Sequence, residues 1–341
     1  MIWQQIIYII LALIAGGFFS YLGIPAGWLL GSLLFGIIIG LIYKKLPFEG
    51  LPFQMALAMV GTSIGFMMDQ ELFFTLHTYL FPLLVTLSLT LAAGLLFGWL
   101  MYKWTDLDIL TAFFCCVPGG ASEVISVSRE YGADDRIVAA FHTARITFFV
   151  LVIPFAAGIF YPVIETEAQV NGSYTNLALL LPILFVVISL SIILNRKVKI
   201  PAGALLYSIF IGFLVGEFLV PLESPSYIAG IGQGLIGAMI GIRFDKVTLH
   251  RLKLIGLPSV GVIQLFFLFS LCLALIFFLL TPLPYMTSLL STVPAGAAEM
   301  ASTAFALQLE PTLVSSLHVI RVMVLFLVLP FLLKIILKIA K

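Results

Sequence analysis

A glutamate, a histidine and an arginine occur twice at one fixed spacing, as Glu123, His142 and Arg145 and again as Glu299, His318 and Arg321. Each set follows a helix-breaking run, Pro118-Gly119-Gly120-Ala121-Ser122-Glu123 in the first and Pro294-Ala295-Gly296-Ala297-Ala298-Glu299 in the second. Proline and glycine end one helical piece, so a new helix begins directly after each break. A helix start presents unpaired N–H groups and the positive end of its dipole, which suits an anion. Ser122 is placed to cap the first such helix, although its counterpart is Ala298. The plainer reading of each break is a turn that binds nothing.

The side chains offer further chemistry. The three-residue spacing puts His142 with Arg145, and His318 with Arg321, on one helical face. An arginine fork matches a carboxylate or phosphate, and a histidine either relays protons or makes a hydrogen bond between helices. Glu123 and Glu299 could take a proton or cation as the coupling ion. Alternatively, they form structural ion pairs with Arg145 or Arg321.

What positions these residues is a membrane protein. The 341 residues are 62% hydrophobic and 10% charged, with a mean hydropathy of +1.20, far from the balance of soluble domains. A net charge of +1 gives no basic surface for nucleic acid. The segment Ile2–Phe19 has no basic residue before it and reads as a retained span, not a signal peptide. Cys115, Cys116 and Cys272 lie in apolar runs and read as packing residues, with no metal site indicated.

The chain is also one unit written twice. Ile24-Pro25-Ala26-Gly27 returns as Ile200-Pro201-Ala202-Gly203, offset by 176 residues as from Pro25 to Pro201. Gly61 and Gly65 return as Gly237 and Gly241 in the same register, Asp69 as Asp245, and the motif residues follow it too. The halves are residues 1–170 and 171–341. Each predicts spans near 3–21, 27–43, 52–68, 73–102 and 136–162, then 177–195, 203–219, 226–242, 255–280 and 312–333. The spaced glycines predict close helix packing, the Ile-Pro-Ala-Gly runs tight turns or helix starts, and Asp69 and Asp245 solvated span ends.

Charge placement bears on whether the broken stretches cross the membrane. If they dip in and return, every Lys and Arg except Arg145 and Arg321 falls on one side, and the opposite loops hold acids or nothing charged. If they cross, the basic residues scatter. The positive-inside rule therefore favours ten spans, both termini in the cytoplasm, and halves of opposite orientation. The expected fold is an all-α polytopic membrane protein, with two inverted repeats of about five spans and two broken, re-entrant helical hairpins. Such repeats around discontinuous helices typify secondary transporters, with the site near mid-membrane.

The paired PGGASE and PAGAAE motifs, the IPAG turns and the His/Arg helices resemble the AbrB-type bacterial integral membrane family over essentially the whole chain. That resemblance implies a bacterial inner-membrane protein; members carry labels of ammonia monooxygenase or of regulator of gene expression. Their name is shared with an unrelated soluble DNA-binding regulator. A metal oxygenase needs clustered His or carboxylate ligands, and of His77, His142, His250 and His318 only two lie in the repeated motif. An enzyme is therefore not expected. The expected function is secondary transport of a small polar, anionic or zwitterionic solute. Pro118, Gly119, Gly120, Ser122, Glu123, His142 and Arg145 would form the site with Pro294, Gly296, Glu299, His318 and Arg321. No cofactor is needed beyond a coupling proton or sodium ion, and the partners are the solute, the lipid bilayer and at most a second copy of the chain. The alternative is a membrane sensor controlling gene expression that uses the same cavity to detect a ligand.

Overall fold

The computed structural model describes residues 2–24, 26–43, 48, 50–68, 70, 76–119, 121–160, 177–198, 203–219 and 226–339. Among these there is no strand, and the helices in chain order are α1 (Ile2–Tyr21), α2 (Gly27–Ile42), α3 (Leu51–Gly65), α4 (Leu80–Trp104), α5 (Ile109–Cys116), α6 (Ala121–Glu130), α7 (Asp135–Phe160) and α8 (Leu177–Lys197). They continue as α9 (Gly203–Phe218), α10 (Ser226–Gly241), α11 (Lys246–Ile255), α12 (Leu257–Leu280), α13 (Tyr285–Thr292), α14 (Ala297–Ala306) and α15 (Pro311–Ile339). The protein is all-α and polytopic. Five helices among the described residues are long and apolar enough to cross a bilayer, within α1, α4, α7, α8 and α12. The spans expected at α2, α3, α9 and α10 are helices of only 15 or 16 residues, about 24 Å long at 1.5 Å per residue.

The chain folds as two compact units: residues 1–75, 150–243 and 297–315, and residues 76–149, 244–296 and 316–341. Their boundaries cut across the sequence halves, because each unit takes helices from both. In the first unit α2 packs on α10, and α3 on α9. These are copies of one contact, since α9 repeats α2 and α10 repeats α3. A Cβ on Gly237 would run into the carbonyl oxygen of Leu29, and one on Gly241 into that of Leu33. A Cβ on Gly61 would meet the Leu205 carbonyl oxygen at 2.6 Å, and one on Gly65 would meet that of Ile209. The repeated glycines therefore serve close helix packing, as their spacing predicted.

The same unit fixes the direction of each copy. One apolar cluster joins Tyr8 and Ala12 of α1, Ile39 of α2, Phe53 of α3 and Ala238, Met239 and Ile242 at the end of α10. Another joins Leu180 and Leu184 of α8, Val215 of α9, Met59 of α3, Phe66 just beyond it and Ile228 at the start of α10. Thus α1 starts where α2 and α10 end, whereas its copy α8 starts where α9 and α3 end. Within this unit α1, α2 and α3 each run opposite to their repeats α8, α9 and α10.

In the second unit α4 packs on its own copy α12, with Phe97 of α4 at 4.8 Å from Phe266 and 5.9 Å from Phe269. The Ile24–Gly27 turn does make a helix start. Ala26 has left-handed φ of 52°, and Gly27 lies so close to Phe19 and Ser20 that a side chain would strike their backbone. Pro25 and residues 200–202 lie outside the described residues, as does Asp69. Asp245 corrects the expectation of a solvated span end: it is 8% exposed and caps α11, accepting from the Thr248 N–H at 2.8 Å.

Candidate functional site

The first break lies in the second unit, between α5 and α6. With eight residues, α5 is about 12 Å long, under half of a hydrocarbon core of about 30 Å. It stops against the middle of α4, where Gly94 has no side chain to keep off Pro118 and the Cys116 carbonyl. The chain then returns to where it entered. After α6, the Asp134 N–H donates to Thr111 Oγ1 at 2.8 Å, and Tyr131 stands 6.4 Å from Phe114, both partners being on α5. The stretch is a re-entrant hairpin. Thr111 is held in turn by Asp108, which caps α5 by accepting from the Thr111 N–H at 2.9 Å. Asp134 caps α7, and Arg129 pairs with Asp135 on the exposed surface.

The next helix, α7, runs alongside α5 and carries His142 and Arg145 into the core. His142 is fully buried, and its Nε2–H donates to the Phe114 carbonyl at 3.0 Å. A carbonyl only accepts, so the proton sits on Nε2 and Nδ1 is the acceptor. Nδ1 receives a hydrogen bond from Arg145 Nη2 at 3.1 Å. Both ring nitrogens are thereby used, which gives His142 the plainer of its two roles: it ties helices together and orients the arginine. Arg145 is 1% exposed. Its guanidinium lies 5.2 Å from the Phe266 ring centre of α12, while its Nε and Nη1 have no hydrogen-bond partner among the described residues.

The second break repeats the histidine geometry. His318 on α15 donates from Nε2 to the Leu290 carbonyl of α13 at 2.7 Å, and Arg321 Nη2 donates to its Nδ1 at 2.8 Å. The first of these contacts holds α15 against α13. Arg321 differs from Arg145. Its Nη1 donates to the carbonyls of Thr292 and Val293 at 3.0 and 2.8 Å, and its Nη2 also donates to that of Ala295 at 3.2 Å. Thr292 and Val293 close α13, where carbonyls lack intrahelical donors, and a guanidinium there satisfies both hydrogen bonds and helix dipole. Arg321 is a brace for Pro294 and its neighbours. An ion pair with glutamate is not what holds it.

The remaining candidates are distributed as follows. Pro118 and Pro294 are buried, and Gly119 and Gly296 half-buried, at the two breaks. Glu299 belongs to the first unit, on α14, where it is 8% exposed and the charge acting on it is that of Arg243. Gly120 and the side chains of Ser122 and Glu123 lie outside the described residues. Because α6 begins at Ala121, Ser122 sits inside its first turn and is not the cap expected of it.

Phe266 and the acceptors around Arg321 are the residues the motif did not announce. Phe266 left one trace: the repeat register puts Thr90 at its counterpart, so the two arginines could not have matching surroundings. Thr287 and Ser288, buried hydroxyls on α13 without a partner, carried no comparable signal.

Known proteins resemble this chain over nearly its whole length. A protein of Bacillus subtilis (strain 168) named YhjN is 28% identical over 351 aligned residues, covering 93% of this chain and 89% of its own. An Escherichia coli (strain K12) relative, which bears the name AbrB and a regulator's label, is 27% identical, covering 92% and 90%. No solved structure matches. The model of the AbrB family, described as transition state regulatory protein AbrB, matches residues 3–337, and the chain therefore belongs to the AbrB family.

Proposed function

We propose that the chain is a secondary transporter moving a small polar solute, anionic or zwitterionic, by alternating access, with a proton or sodium ion as the coupling ion. One observation carries this reading: α2 against α10 and α3 against α9 are the same packing made by copies of opposite direction. Inverted repeats combined with re-entrant, broken helices are the architecture by which many carriers open to either side. The buried Glu299 and its counterpart Glu123 are the groups proposed to take the coupling ion. In this reading the protein lies in a bacterial inner membrane with both termini in the cytoplasm, and it is not an enzyme.

Purified protein in proteoliposomes tests the proposal, with amino acids and carboxylic acids supplied under imposed proton or sodium gradients. Saturable accumulation that collapses with the gradient is the expected result. Binding without accumulation under either gradient would favour a second reading, suggested by the regulator's label of the Escherichia coli relative. There the same residues would detect a ligand and pass the signal to a partner.

A further inference from the structure

We propose that the tip of the first re-entrant hairpin is a carboxylate-binding site, with Arg145 as its one guanidinium and Phe266 as the platform beneath it. The inference deepens the transport reading and rests on it for the ligand's role as solute.

Arg145 is 1% exposed, yet its Nε and Nη1 have no partner among the described residues. Only Nη2 is engaged, by His142 Nδ1 at 3.1 Å. A guanidinium has two forked edges, Nε with Nη2 and Nη1 with Nη2. Whichever Nη2 hydrogen His142 accepts, the other one remains beside an unused neighbour, so one two-pronged edge has no acceptor among the described residues. Two parallel N–H groups fit the two oxygens of a carboxylate. Arg145 Cζ lies over the Phe266 ring, 5.2 Å from its centre, which holds the guanidinium by cation–π attraction without using an N–H donor. A buried cation with unfilled donors is destabilising, and a carboxylate supplies both the missing charge and the missing acceptors.

The copy of this arginine offers no such edge. Arg321 donates to Thr292, Val293, Ala295 and His318, and the residue corresponding to Phe266 is Thr90, whose hydroxyl is bonded to Thr86. The protein therefore has one carboxylate site of this kind. His142 is a positioning residue for it.

The test is direct binding to the full-length protein in detergent, read as the thermal unfolding midpoint and as tryptophan fluorescence. Acetate, succinate and glutamate are titrated at matched ionic strength against inorganic phosphate and chloride. A ligand that binds the folded state raises the midpoint, so a saturable rise with at least one carboxylate and none with chloride is expected. Arg145→Lys keeps the charge but loses the fork, and should weaken that response about tenfold or more. Phe266→Leu leaves Arg145 in place and should weaken it several-fold, which decides the matter if Arg145→Lys does not fold. Arg321→Lys should lower the starting midpoint while leaving carboxylate affinity within about twofold.

Unchanged affinity in Arg145→Lys or in Phe266→Leu overturns the proposal, as does phosphate binding as tightly as the carboxylates. So does a wild type that responds to no carboxylate while Glu123→Gln does, because the edge would then be filled from within the chain. Flux plays no part in this assay. A protein that binds a carboxylate but accumulates nothing keeps this site and loses the transport reading.

Discussion

The two broken stretches carry the same motif and are fastened at opposite ends. The first is secured where it enters: Asp108 caps α5, Thr111 bridges to Asp134, and Arg129 pairs with Asp135. At its tip Arg145 leaves Nε and Nη1 unused. The second is secured at its tip, where Arg321 gathers the carbonyls of Thr292, Val293 and Ala295. At its entrance Pro284 stands in place of Asp108 without a side-chain cap, and the Thr287 hydroxyl has no partner. Duplication supplied two identical arginines, and their surroundings gave one to structure and left the other available.

The sharpest way to break this contrast is to remove both cations in turn. Arg321→Met strands the Thr292 and Ala295 carbonyls and a histidine nitrogen in the core, the kind of loss that costs about 3–5 kcal/mol. Arg145→Met loses one hydrogen bond and a stacked ring, but it also removes two buried nitrogens that nothing satisfies, so its cost should be about 1 kcal/mol. Thermal unfolding in detergent should therefore show a much larger drop for Arg321→Met. Equal drops would mean that the two arginines do the same work.

A second comparison sets the hairpins against the glycine contacts, which are symmetric. Gly65→Ala drives a methyl into the Ile209 carbonyl, and Gly241→Ala drives one into that of Leu33. Overpacking of this kind costs about 1–3 kcal/mol, and because the two contacts are copies, the two losses should agree in the same unfolding assay. A twofold disagreement would show that the repeats have diverged in the first unit as well.

This difference between regions explains what could be read from the sequence. The opposed packing in the first unit and the first returning hairpin were legible because they leave traces in sequence: the constant register from Pro25 to Pro201, the small residues at Gly61 and Gly237, and the Pro-Gly-Gly break at Pro118. The compact units were not, because a duplication gives no sign that α3 packs on α9 rather than staying with its own half. Nor were the separate roles of Arg145 and Arg321, since the motif spells both alike and the deciding residues lie outside it. Phe266 against Thr90, and Asp108 against Pro284, are single mismatches among many in apolar sequence. Asp245 was misjudged because a carboxylate at a span end can face water or turn back to cap the next helix, and hydropathy is blind to that choice.

The smallest expected effect tests the entrances. Thr111→Val removes the acceptor for the Asp134 N–H and the group that Asp108 holds, and one partly buried donor left unpaired costs about 1 kcal/mol. Thr287→Val is the same substitution in the other copy, where the hydroxyl is buried with no partner. Exchanging an unsatisfied buried hydroxyl for a methyl of equal size should raise stability slightly. Hydrogen exchange resolves the two locally, with faster exchange at the start of α5 in Thr111→Val and unchanged or slower exchange along α13 in Thr287→Val. Faster exchange in both would mean that the second entrance is fastened through Thr287 after all, and the two hairpins would then differ only at their tips.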